Sequence, residues 1–166
     1  MICPFVTRYT TIVGVNGGRV FSANACLATE IAWGGGANAA LYANTGNPGP
    51  ALSSFWPNGQ TTPRVCDAAN PDTVDCAYDY GWHAAAYART TGSRLGPAVL
   101  GQAWWLDVET ANTWNGNGVA NTAVLQGMYD YLRSHGVARV GLYSTGYQWQ
   151  RITGGYTAST AAAYRK

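Results

Sequence analysis

The chain has 166 residues, enough for one domain with a sizeable core. Charged residues make up 11%, against about 25% in an average soluble domain, and the formal net charge is +2. Scattered Lys and Arg and so small a charge argue against nucleic acid as a partner, and no apolar stretch approaches the roughly 20 residues of a membrane span. The 7 Trp and 11 Tyr point instead to a packed chain.

Four short apolar runs predict strands buried on both faces: residues 10–16 (TTIVGVN), 40–44 (ALYAN), 103–109 (AWWLDVE) and 139–144 (RVGLYS). Helices are expected between them. Asn24 can cap residues 25–33, with Gly34 ending that helix. Asp75 can cap residues 76–90, where Tyr80, Ala84 and Tyr87 share a face and Gly92 falls past the end. Asn121 or Thr122 starts a helix with the stripe Val124, Leu125, Met128, Tyr131 and Leu132, stopped by Gly136. A short helix follows at 147–152. This alternation predicts an α/β fold with a parallel sheet, and the Pro-, Gly- and Asn-rich stretch 45–75 reads as a functional loop after a strand.

The four cysteines are Cys3, Cys26, Cys66 and Cys76. None forms a C-x-x-C pair and no His stands at ligand spacing, so no metal site is expected. The polar segment CDAANPDTVDC predicts a loop closed by Cys66–Cys76, leaving Cys3 and Cys26 to pair by elimination. Three connectivities are formally open, as are four free thiols. An even cysteine count in a charge-poor, aromatic-rich chain favours a secreted protein. Met1-Ile2-Cys3-Pro4 has neither the charged nor the apolar part of a leader, so export implies a removed leader or a start within a longer chain. Gly17-Gly18 and Gly34-Gly35-Gly36 lack phosphate-loop partners and read as turns, so no cofactor is expected.

Only eight residues are acidic, and two of them, Asp107 and Glu109, end the third strand. Side chains two apart on a strand share a face, so Asp107 and Glu109 point the same way as Trp105, while Leu106 and Val108 point toward the helices. Ligands of parallel α/β sheets bind at the carboxyl ends of strands. Two acids there repel each other and lose solvation, which raises a pKa and prepares a general acid, a part expected of Glu109. The competing reading is a structural ion pair, with Arg94 and Arg133 nearest in sequence. Tyr143, ending the next strand, is a candidate hydrogen-bonding neighbour; Trp105 and Trp114 beside the acids, and Trp56 in the long loop, are candidate sugar platforms. His83 and His135 complete no triad with Ser144.

WWLDVE followed by VGLYSTGYQW resembles glycoside hydrolase family 25, the muramidase-type lysozymes. VNGG, NACL, YANTGNPGP and CAYDYGW extend the resemblance to a secreted actinobacterial lysozyme-like group, over about residues 12–155. It implies a (β/α) barrel, here a partial TIM barrel of about four parallel strands with flanking helices. It also implies hydrolysis of β-1,4 bonds in peptidoglycan or a related cell-wall polysaccharide. Glu109 matches the family's general acid, Asp107 its partner acid, and Tyr143 a tyrosine lining the site. The first-strand Asp of the family has no counterpart before Thr10, and its last strands none after Gly155. Residues 1–166 are therefore expected to form one domain lacking the first and last barrel strands, with open sheet edges through which a homodimer could form. The alternative is a non-catalytic carbohydrate-binding module or a structural extracellular domain of the same fold.

Overall fold

A computed structural model describes residues 11–155. Its strands are β1 (Ile12–Gly14), β2 (Ala40–Asn44), β3 (Ala103–Asp107) and β4 (Arg139–Tyr143). They form one parallel sheet in the order β1-β2-β3-β4. The helices are α1 (Leu27–Trp33), α2 (Val74–Ser93), α3 (Gly118–Ser134) and α4 (Gly146–Thr153). Each strand pairs with its neighbour in sequence and each crossover carries a helix. That is the α/β arrangement expected from the sequence, and it is consistent with part of a (β/α) barrel.

The sheet has two unlike faces. Val13, Leu41, Ala43, Trp104 and Leu106 are buried on the side covered by helices, in one cluster with Ala84, Ala88, Val124 and Met128, while buried Val108 packs with Leu125 and Ile152. On the other side the described residues leave Ile12 48% and Tyr143 54% exposed. The apolar stripe expected for α3 holds at Val124, Leu125, Met128 and Leu132, all buried.

The helices α2 and α3 touch backbone to backbone. A Cβ on Gly81 would land on the carbonyl oxygen of Val124, and one on Gly127 on that of Tyr78, each far inside van der Waals contact. Two glycines, one on each helix, thus set the crossing distance. Gly92 serves a similar end. It lies within α2, not past it, and a Cβ there would stand 3.1 Å from the ring of Trp104.

Two caps sit earlier than the sequence suggests, and the cap of α1 sits later. The hydroxyl of Thr73, not Asp75, accepts from the Cys76 N–H at the start of α2. Asn117 accepts from the N–H groups of Val119 and Ala120 at the start of α3, a turn before Asn121. Asn24 stands before the residue that caps α1 and accepts from the Cys26 N–H. Asx and hydroxyl acceptors at strand-to-helix junctions compete with longer runs for the same orphan donors, and the position that reaches two of them wins at Asn117.

Asn121 is freed for other work. Buried within α3, it accepts from Asn47 Nδ2 at 2.9 Å and donates to the carbonyls of Asn115 at 3.0 Å and Ile152 at 2.8 Å. One side chain so joins the loop after β2, the loop after β3 and the end of α4.

Cys66 and Cys76 form the expected disulfide, with Cα atoms 4.7 Å apart, tying the long loop to the first turn of α2. Cys26 is exposed and has no disulfide among the described residues; its expected partner Cys3 lies outside them.

Gly127→Ala should destabilise the protein by about 1–3 kcal/mol in urea denaturation, despite the better helix propensity of Ala. The new methyl meets a backbone carbonyl that cannot swing away. A stability equal to or above the parent's would show that the helices are not in contact there.

Candidate active site

β3 carries the acids to the open face. Its register sets Asp107 between Asn44 of β2 and Tyr143 of β4, and Trp105 between Tyr42 and Gly141. Asp107, Glu109, Trp105 and Tyr143 line one cavity of about 330 Å³ together with Ile12 and Tyr42. The sequence places the first four side by side, and the structure brings them together. Tyr42 and Ile12 were missed. The alternation of ALYAN, read against that of AWWLD, would have put Tyr42 on the same face.

Two glycines shape the cavity floor. A Cβ on Gly14 would lie 2.7 Å from Tyr42 Cζ, and one on Gly141 2.6 Å from Trp105 Cζ3. The phenol and the indole therefore lean over neighbouring glycines across the sheet, which leaves the rings spread over the floor.

The backbone that holds the acids is gripped from three sides. The Asp107 carbonyl accepts from Thr45 Oγ1 at 2.6 Å and from Asn112 Nδ2 at 3.1 Å. The Val108 carbonyl accepts from Ser144 Oγ at 2.7 Å. The Glu109 carbonyl accepts from Trp114 Nε1 at 2.8 Å, and the Thr110 N–H donates to Gln148 Oε1 at 2.6 Å. Past its last ladder bond the strand is thus fixed by side chains, which is how a group outside regular structure acquires a defined position.

Two of the proposed platforms take other places. Trp56 is 8% exposed, stacks on Tyr80 at 5.0 Å and donates to the Pro71 carbonyl, so it is a core residue of the long loop, not a groove wall. A Trp in a 29-residue loop needs a buried seat for its ring, and α2 supplies one. Trp114 packs against the cluster of Val108, Leu125 and Ile152 and reaches Glu109 only through its backbone. Its role in the geometry is to position the acid strand. Tyr143 lines the cavity, but no hydrogen bond of its hydroxyl is present among the described residues.

Among the described residues neither Asp107 nor Glu109 has a cationic partner, and the salt bridge there is Arg64–Asp75, which gives the ion-pair alternative no support. Burial, reinforced by the negative charge of Glu109, pushes the Asp107 carboxyl up to about 6. The sequence led us to expect the stronger shift on Glu109. The raised carboxyl is that of Asp107, two residues earlier along the strand. Tyr42 is also raised, by burial first and then by the charge of Asp107. Among the described residues no three His, Cys, Asp or Glu side chains gather as metal ligands would.

Comparisons with known proteins address this same strand. The model of a family described as lysozyme-like protein 1 matches residues 98–164, the segment that includes β3, α3, β4 and α4. A stretch of 56 residues, 34% of this chain, is 41% identical to a protein of Dictyostelium discoideum named "Probable GH family 25 lysozyme 4". That match spans 25% of the relative's length. No solved structure matches.

The raised Asp107 has a consequence for stability. The folded carboxyl keeps its proton up to about pH 6, whereas an unfolded Asp releases it near pH 4. Between those values the folded state binds more protons, so stability falls as pH rises through that window and then levels. Asp107→Asn should flatten this slope in thermal melts taken from pH 4 to 7, leaving the part due to buried Asp79, which burial also raises to about 6. Melting curves of the same slope for variant and parent would contradict the assignment. Residues 98–164, which include the acid strand, are thus similar to a lysozyme-like family, and about a third of the chain is similar to a protein named as a probable family 25 lysozyme.

Proposed function

We propose that this chain is a glycoside hydrolase that cleaves β-1,4 bonds of peptidoglycan or a related cell-wall polysaccharide. The observation that carries this reading is the pair Asp107 and Glu109 on one face of a strand end, in a cavity floored by Tyr42 and Trp105 and with no cation among the described residues to neutralise it. Glu109 lies further toward the mouth and is assigned the proton transfer to the glycosidic oxygen. Asp107, two residues earlier along the strand, is assigned the stabilisation of the oxocarbenium-like state, by its charge or by holding the substrate's acetamido group. Trp105 and Tyr143 are the sugar-facing side chains of this proposal. No cofactor enters the chemistry.

The remaining parts of the reading follow from the same features. Action on a cell wall places the protein outside the cell, and the Cys66–Cys76 bridge suits an oxidising compartment. Among the described residues no helix is long and apolar enough to cross a membrane. The edges of the described sheet are β1 and β4, and their unpaired backbone groups favour pairing between copies, a homodimer built on one domain per chain. Sedimentation over a range of concentrations tests this point, and a monomer throughout would remove it.

The exposure of Tyr143, 54%, favours a second reading: a carbohydrate-binding module that retains the cleft without turnover. One assay separates the two. Release of reducing ends from peptidoglycan by the parent, with a loss of about 100- to 10,000-fold in kcat for Glu109→Gln, is the expected result. Binding to the polymer without any release by the parent would establish the module instead. Turnover indifferent to Glu109→Gln would remove the acid assignment.

A further inference from the structure

A second cavity, of about 320 Å³, opens at the same end of the sheet and shares none of its lining residues with the acid cleft. It lies between the loops that follow β1, β2 and β3. Its wall is aromatic on one side: Phe21 and Phe55 stack in parallel with ring centroids 4.3 Å apart, and Phe55 is 54% exposed. Its other side is polar, with Asn112 and Thr113 from the loop after the acids. Its one charged residue is Arg19. The Arg19 guanidinium is exposed and makes no salt bridge or hydrogen bond among the described residues. An unpaired guanidinium beside an apolar wall and amide donors is a receptor for a carboxylate carried on a partly apolar arm.

The cavity is joined to the acid cleft through Asn112. Its Nδ2 donates to the Asp107 carbonyl at 3.1 Å and its N–H to the Glu109 carbonyl at 3.1 Å, while its residue also lines the second cavity. On β2, Asn44 lines the second cavity and stands in register with Asp107. The two cavities differ in charge. The acid cleft contains two carboxyls and no cation, and the second contains a cation and no carboxyl. An anionic branch is repelled from the first and attracted to the second.

We infer that the cavity beside Arg19 receives a carboxylate-bearing arm of the substrate, a lactyl or lactyl-peptide branch on a sugar next to the bond cleaved at Asp107 and Glu109. The inference rests on the proposed glycan substrate and adds a selection among glycans. Polymers that carry acidic arms are held in register, and neutral polymers of the same backbone are not.

The test is binding of soluble fragments to the full chain, free of any need for turnover. The probes are N-acetylmuramic acid, which carries the lactyl carboxylate alone, its L-alanyl-D-isoglutamine conjugate, and the neutral N,N′-diacetyl form of chitobiose. The parent should bind both acidic probes more tightly than chitobiose, with amide shifts at residues 19–21 and 111–113. Arg19→Ala should weaken the acidic probes by about tenfold or more and leave chitobiose unchanged, since loss of a charge-assisted hydrogen bond is read in Kd. Arg19→Lys should restore part of the loss. A stronger response to the conjugate than to the simple acid places the peptide in the cavity, and an equal response places the lactyl group there. Absence of acidic-probe binding by the parent, or binding unaffected by Arg19→Ala, overturns the inference even where peptidoglycan is cleaved. Arg19-dependent binding without any cleavage keeps it and removes only the hydrolase reading.

Discussion

A strand packed under helices on one side has its other side chains chosen for it. In β3 and the two residues beyond it, Trp104, Leu106 and Val108 are completely buried beneath α2 and α3. The two-residue period of the chain then sends Trp105, Asp107 and Glu109 to the opposite face. Any register slip by one residue would push two carboxylates into the helical core and expose three of the most buried apolar groups in the molecule. The hydrophobic term therefore fixes the direction of the acids. No interaction of the carboxyls themselves is needed, which leaves their two unfavourable features, shared charge and partial burial, in place at the site.

Direction alone does not fix position, because β3 ends at Asp107 and Glu109 lies past the ladder. The side-chain bonds from Thr45, Asn112, Ser144, Trp114 and Gln148 take over there. They come from the loops after β2 and β3, from the end of β4 and from α4, and the buried Asn121 holds three of these regions to one another. Packing thus reaches the cleft by way of polar groups, each satisfied, in a region where an unsatisfied one would be costly.

What was legible in the sequence was periodic. Four apolar runs and the stripe of α3 gave the strands, the sheet order and the face of the acids, because hydrophobic period reports burial directly. The Cys66–Cys76 bridge was legible because a short polar loop leaves its ends little freedom. Caps were placed late, since Thr73 and Asn117 compete with Asp75 and Asn121 through local geometry that composition does not encode. Trp56 was misread for a related reason: an indole in a polar loop looks exposed until α2 brings Tyr80 beneath it. Tyr42 was missed although the alternation of its strand was readable, and the second cavity was invisible because it depends on loop-to-loop neighbours from distant parts of the chain.

The open face also explains an otherwise costly choice of residues. Glycine weakens a strand, yet Gly14 and Gly141 occupy inward positions of the two edge strands. Across from them stand the two large rings of the floor, Tyr42 and Trp105, on the two central strands. A side chain at either glycine would force its ring to move off the edge strand. The lost strand stability is offset by ring contact with backbone, and the rings gain a fixed, spread orientation beneath Asp107 and Glu109. Burial first, and then the charge of Asp107, raises the Tyr42 phenol, which stays protonated and a hydrogen-bond donor. A flat apolar surface with a donor at one edge and two acids at its end is a surface on which a sugar ring can stack while its oxygens face the carboxyls.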